Sequence, residues 1–139
     1  MAFTVTHAVR FQHCDPAGIV FYPRYYEMLN ATIEEWFDTR LAFTFAEIHG
    51  PMGMGVPTAS HQTRFLKPSR LGDRLDFALT PVRLGASSVT LAVAVTCDGE
   101  PRVTFDTTLV WFAQGDGRPR LWPQALSSGI EQEMEGTPR

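Results

Sequence analysis

Ser88-Val89-Thr90-Leu91-Ala92-Val93-Ala94-Val95-Thr96-Cys97 alternates without a break. In an extended chain Val89, Leu91, Val93, Val95 and Cys97 fall on one side, and Ser88, Thr90, Ala92, Ala94 and Thr96 on the other. This period of two predicts a strand over 87–97 with one buried face. The small-residue side lets another element approach closely, either a helix or a second subunit. Gly85-Ala86 before it and Asp98-Gly99 after it are hairpin signals. The flanking segments therefore read as its partners. In 74–83, Leu75, Phe77 and Leu79 alternate with Asp76, Ala78 and Thr80, and 102–113 completes the set. Strands joined by hairpins are antiparallel.

Further upstream, 58–66 reads as one more strand. Before it, 40–57 is a connection rich in Gly and Pro (Gly50, Pro51, Gly53, Gly55, Pro57), with room for a helical turn at 43–49. Residues 22–39 predict one long helix: Tyr22, Tyr25 or Tyr26, Leu29, Ile33, Trp36 and Phe37 recur at helical spacing, and Pro23 suits the first turn. Its large aromatics suit packing on a sheet. Residues 3–11 predict a first strand, with Phe3, Val5, His7, Val9 and Phe11 on one face. The order is strand, long helix, four strands, which is α+β with one sheet and one helix. A short helix is expected near 123–130, and 130–139 is expected to be a frayed tail.

The chain has 139 residues with a net charge of −3, which suits a single domain over 1–139 and argues against a dedicated nucleic-acid binder. No run of apolar residues reaches the ~18 that a membrane helix needs. The start, Met1 to Phe11, lacks the basic and apolar regions of a signal peptide. Two cysteines, Cys14 and Cys97, do not make a disulfide scaffold, so a cytoplasmic location is expected. The basic residues are eleven Arg and one Lys. Arg64, Lys67, Arg70, Arg74 and Arg83 are close in sequence and read either as a solvated edge or as a phosphate-binding cluster.

Chemistry concentrates in His13-Cys14-Asp15-Pro16-Ala17-Gly18-Ile19-Val20-Phe21-Tyr22-Pro23-Arg24-Tyr25-Tyr26. Asp15 sits in a turn stiffened by Pro16 and opened by Gly18. It reads as a turn or capping residue, or as a functional carboxylate near the positive end of the helix. There, free backbone N–H groups can stabilise a developing oxyanion, and a carboxylate beside them can attack a thioester or activate a water. His13, Cys14 and His61 match no closed zinc pattern, so no metal is expected. Cys14 has only His13 nearby as a base, which makes it a poor candidate nucleophile.

The segment His13–Tyr26 resembles the active-site segment of the 4-hydroxybenzoyl-CoA thioesterase family of hotdog-fold acyl-CoA thioesterases. The likeness runs over about 4–113 and includes Gly55-Val56-Pro57, Phe65-Leu66-Lys67-Pro68, Leu71-Gly72-Asp73 and Arg83-Leu84-Gly85. It implies a curled antiparallel sheet wrapped around one long central helix. It implies hydrolysis of an acyl-CoA thioester, with Asp15 as nucleophile or general base and the Tyr22 backbone N–H polarising the carbonyl. By the same resemblance Arg83 binds CoA phosphates. His13, Gly18 and Tyr26 are expected to border the substrate, Tyr26 because it is close to Asp15 in sequence. Active sites are then shared across a homodimer, and dimers pair into a homotetramer. CoA is part of the substrate, and no cofactor is implied. The sequence departs from the pattern at two substrate positions: Asn30 replaces an acidic residue and Val56 replaces Thr. Both changes weaken recognition of a phenol. Two rival readings are an acyl-thioester hydratase or dehydratase on the same fold, and a non-catalytic acyl-CoA or acyl-carrier binding module.

Overall fold

The computed structural model describes residues 2–135. Strand β1 is Phe3–Ala8, and a 3-10 turn follows at Phe11–His13. Helix α1 is Pro23–Trp36, continued by a π-helical turn over Phe37–Leu41, and α2 is Phe45–His49. Then come β2 (Met54–Gly55), β3 (Thr58–Phe65), β4 (Arg74–Leu84), β5 (Ser88–Cys97), β6 (Glu100–Val110), β7 (Phe112–Ala113) and α3 (Gln124–Glu135). Five strands form one sheet in the order β1-β4-β5-β6-β3, antiparallel throughout. The fold is α+β, as expected. The sheet is open with edges at β1 and β3, in place of the curled sheet expected around the helix.

The alternation of β5 holds along its length. Val89, Leu91, Val93, Val95 and Cys97 are buried, facing the same layer as Leu75, Phe77 and Leu79 of β4 and Val103, Phe105 and Leu109 of β6. Asp98 (φ +49°) and Gly99 (φ +81°) both adopt positive φ, as a tight two-residue hairpin requires. Pro81 cannot donate to the ladder, and the register shifts between it and Arg83, leaving Val82 exposed. Helix α1 crosses the buried face. Near its start Tyr26 meets β3 and β6 through Thr63 and Phe105, and Thr32 farther along meets His7 of β1.

Four expectations change. First, β1 stops at Ala8, because the 3-10 turn breaks its alternation; Phe11 is 83% exposed instead of buried. Second, the helix expected over 22–39 loses α-geometry after Trp36 and ends at Ala42 in a left-handed conformation (φ +61°). Third, residues 130–135 are not frayed. They belong to α3, whose Leu126 and Ile130 are fully buried and whose Glu133 accepts from Trp36 Nε1 at 2.9 Å and pairs with Arg40 at 3.2 Å. Residues 136–139 lie outside the described residues. Fourth, the end of 102–113 leaves the main sheet, and β7 pairs with β2. A side chain at Gly55 would collide with the Phe112 ring as it stands and push it aside.

Candidate active site

Residues 13–21 fold back as a tight loop. Cys14 bridges Val20, the Asp15 N–H donates to the Ile19 carbonyl (3.0 Å), and the Phe21 N–H donates to the His13 carbonyl (2.8 Å). At the tip the Ala17 N–H donates to Asp15 Oδ1 (2.9 Å) and the Gly18 N–H to the Asp15 carbonyl (2.9 Å). Gly18 sits at φ +81°, the left-handed region that favours glycine. The turn reading of Asp15 is therefore met, and the geometry leaves part of the carboxylate over. One carboxylate oxygen builds the turn, and Oδ2 has no partner among the described residues.

The returning arm of the loop runs into α1 with Tyr22 as its N-cap. The Arg24 N–H donates to the Phe21 carbonyl (2.9 Å), the Tyr25 N–H donates to the Tyr22 carbonyl (3.1 Å), and Pro23 has no N–H. The Tyr22 N–H has no acceptor among the described residues. It is a free donor at the positive end of a 14-residue helix, which suits a developing negative charge.

The loop is anchored from the segment that joins β3 to β4. Ile19 bridges Arg70, and the Val20 N–H donates to the Ser69 carbonyl (2.9 Å). Arg102 on β6 fixes that segment. Its guanidinium donates to the Pro68 carbonyl (3.2 Å), Ser69 Oγ (3.1 Å), Asp73 Oδ2 (2.9 Å) and Glu100 Oε1 (2.8 Å). The Arg70 N–H and the Arg102 guanidinium hold the Asp73 carboxyl below its usual range. Sequence reasoning passed over Arg102 altogether, because a single Arg in an alternating strand carries no signal of its partners.

A cavity of about 260 Å³ opens at the start of α1. Ile19, Val20, Tyr22 and Tyr25 form one wall, and Phe65 and Leu66 form the other. The Phe65 ring packs on Tyr22 (6.1 Å between centroids) and on Tyr25 (6.0 Å). Phe65 and Leu66 were legible only as landmarks of the resemblance, with no role attached.

His13 stands beside the loop, with Nδ1 accepting from the Arg10 N–H (2.8 Å). Burial lowers its pKa, Glu27 opposes, and Arg24 and Arg10 add to the lowering. A neutral ring with Nδ1 as acceptor carries its proton on Nε2.

The remaining expected residues are dispersed. Tyr26 is outside the cavity wall: its hydroxyl bonds Thr63 (2.8 Å), and its ring packs on His61 (5.1 Å) and Phe105 (5.5 Å). Asn30 is on the exposed side of α1, and Val56 is buried just before β3. Arg83 is near the far end of β4, roughly 30 Å from Arg74 at about 3.3 Å per residue. That separation takes Arg83 out of the basic cluster suggested by sequence spacing, and Lys67 is paired with Glu100 (3.1 Å). Among the described residues no three metal-ligating side chains converge, and no helix is long and apolar enough to cross a membrane.

Residues 9–130 match the thioesterase-like superfamily. A 1,4-dihydroxy-2-naphthoyl-CoA hydrolase of Thermosynechococcus vestitus is 30% identical over 128 residues, covering 91% of this chain and 87% of the relative. A 1,4-dihydroxy-2-naphthoyl-CoA thioesterase from Synechocystis superposes with a TM-score of 0.85 at 20% identity, over 94% of this chain and 96% of that one. A Staphylococcus aureus protein solved in complex with CoA superposes with a TM-score of 0.93 at 18% identity, over 100% of this chain and 87% of that one. These two likenesses bear on fold, which is the hotdog-like fold of the superfamily. With a family match along most of its length and a relative at 30% identity, the chain belongs to the thioesterase-like superfamily.

Proposed function

We propose that this protein is an acyl-CoA thioesterase, which hydrolyses an acyl- or aryl-CoA thioester to the carboxylate and free CoA. One observation carries the reading: a carboxylate oxygen and an unpartnered N–H stand on the two arms of one tight loop at a helix start. The thioester carbonyl accepts from the Tyr22 N–H, and the helix end stabilises the oxyanion as it forms. Asp15 supplies the nucleophile, through its own oxygen or through a water it deprotonates. A thioester is electrophilic enough that no triad is needed. The relative at 30% identity is named for hydrolysis of a CoA thioester, which supports the reading. The scheme uses no resident cofactor, because CoA enters as substrate.

The site is completed by a second copy. Strand β3 is a sheet edge, and all but one of its residues are exposed. Antiparallel pairing of two β3 strands about a two-fold axis sets the Phe65 end of one copy beside the Thr58 end of the other. The Gly55-Val56-Pro57 segment of one copy then faces the Tyr22 loop of the other. Arg83 lies along the same sheet end, within reach of a CoA that extends outward from Asp15. A homodimer built this way, pairing further into a homotetramer, gathers residues that one chain keeps apart.

Thiol release from benzoyl-, phenylacetyl-, hexanoyl- and 4-hydroxybenzoyl-CoA tests the reading. Release that follows enzyme concentration is expected for at least one of these substrates. A folded oligomer that releases no thiol from any of them would overturn it.

A further inference from the structure

We infer that the cavity at the start of α1 is the subsite for the acyl group, that it takes an unsubstituted apolar group, and that Phe65 and Leu66 set its size and polarity. The inference rests on the thioesterase reading and adds the substrate class.

Position comes first. Tyr22 forms part of the cavity wall and also carries the free N–H. Ile19, on the same wall, accepts the Asp15 N–H (3.0 Å). A carbonyl held on the Tyr22 N–H therefore has one of its two substituents at the cavity mouth. The pantetheine arm is a poor occupant, because its amides need partners wherever water is excluded. Polar groups of the wall are mostly taken: the Tyr25 hydroxyl by Ser69, and Lys67 at the rim by Glu100 (3.1 Å). Only the Tyr22 hydroxyl is left without a partner among the described residues. The acyl substituent is thus the better occupant.

Its chemistry follows from the wall. Phe65 and Leu66 are 51% and 47% exposed, apolar surface that an apolar ligand would cover. A dry apolar cavity of roughly 150 Å³ already holds a benzene ring. The 260 Å³ here suits one aryl ring or a medium aliphatic chain. A ring hydroxyl placed among Val20, Phe65 and Leu66, away from the Tyr22 hydroxyl, would lose its water and find no side-chain donor or acceptor there. Asn30 is exposed, and Val56 is apolar wherever a second copy brings it, so neither side chain supplies one.

The test has two parts. Steady-state thiol release compares benzoyl-, phenylacetyl- and hexanoyl-CoA with acetyl- and 4-hydroxybenzoyl-CoA. The apolar substrates are expected to lead in kcat/KM by about ten-fold or more. Leu66→Asp should lower the hexanoyl-to-acetyl ratio of kcat/KM by about ten-fold or more, and Phe65→Ala should shift the preference to longer chains. In the second part, calorimetry on Asp15→Asn protein compares hexanoyl-CoA with CoA alone. The acyl chain should tighten binding about ten-fold or more. A preference for 4-hydroxybenzoyl- over benzoyl-CoA, or equal binding of hexanoyl-CoA and CoA, would overturn the inference. Tighter hexanoyl-CoA binding with no turnover by the wild type would sink the hydrolase reading and leave the apolar subsite standing.

Discussion

Asp15 has one oxygen for the turn and one to spare, and this division makes a clean substitution possible. Asn presents an amide oxygen where Oδ1 accepts the Ala17 N–H, so Asp15→Asn keeps the loop. In the proposed scheme it removes the group that attacks or deprotonates. Turnover should fall at least about 100-fold with an unchanged melting temperature; thiol release and thermal unfolding of the purified variant check both. Near wild-type rates would remove Asp15 from the mechanism. His7 is a different case. Thr32 gives its single proton to the Met28 carbonyl (2.8 Å), so His7 Nε2 donates to Thr32 (2.9 Å). Burial lowers the His7 pKa, Glu35 opposes, and His13 adds to the lowering. The unfolded chain then takes up the proton at higher pH than the folded one. This stabilising contribution is complete above about pH 6.5 and is lost as pH falls through the unfolded pKa toward the folded one. His13 and His61 shift in the same direction by burial, so they add to the effect. Urea midpoints at pH 7.5 and 5.5 should differ more for wild type than for His7→Gln, which cannot titrate. An equal drop in both would show that His7 takes no part. The candidacy of Asp15 was legible because turn residues crowd around it. The Tyr22 N–H was legible through the resemblance, but that it lacks an acceptor was not, because a free donor is defined by what other backbone groups do.

At the scale of elements, strands with strict alternation and hairpin glycines were readable, and so was the body of α1. Boundaries set by tertiary contact were not. Whether 130–135 frays depends on Trp36 and Arg40, residues from the other half of the chain that meet Glu133. The β2–β7 pair is two residues long on each strand, too short for a period to register. The connection between β3 and β4 belongs with these, because its shape comes from Arg102 on β6. The Arg102 side chain is 13% exposed, and its planar fork makes four contacts that a lysine ammonium cannot reproduce together. Arg102→Lys should cost roughly 1–3 kcal/mol in urea unfolding. Because Ser69 and Arg70 pair with Val20 and Ile19, it should also lower thiol release more than the stability loss accounts for. Unchanged kcat/KM alongside the expected destabilisation would mean that the Asp15 loop holds its shape without this support.

At the scale of the whole molecule, the proposed site asks for two residues that lie at opposite ends of one sheet. Within a chain, Asp15 stands near the Arg74 end of β4 and Arg83 near the Leu84 end. In the proposed dimer, a two-fold axis through paired β3 edges would bring one copy's Asp15 toward the other's Arg83, and every site would then draw on both chains. This arrangement predicts rescue between two damaged chains. On that proposal, Asp15→Asn homodimers would lack the nucleophile or base, and Arg83→Glu homodimers would repel the CoA phosphates. When the two chains are co-expressed and mix at random, half of the dimers are mixed. In each mixed dimer one site pairs an intact Asp15 with an intact Arg83, while the other site carries both lesions. Activity should recover to about a quarter of wild type, far above either parent. If both residues served the site of their own chain, each mixed dimer would hold two singly damaged sites, and mixing would recover nothing. The two outcomes differ in kind, so a tagged purification of the mixed dimer followed by thiol release separates them.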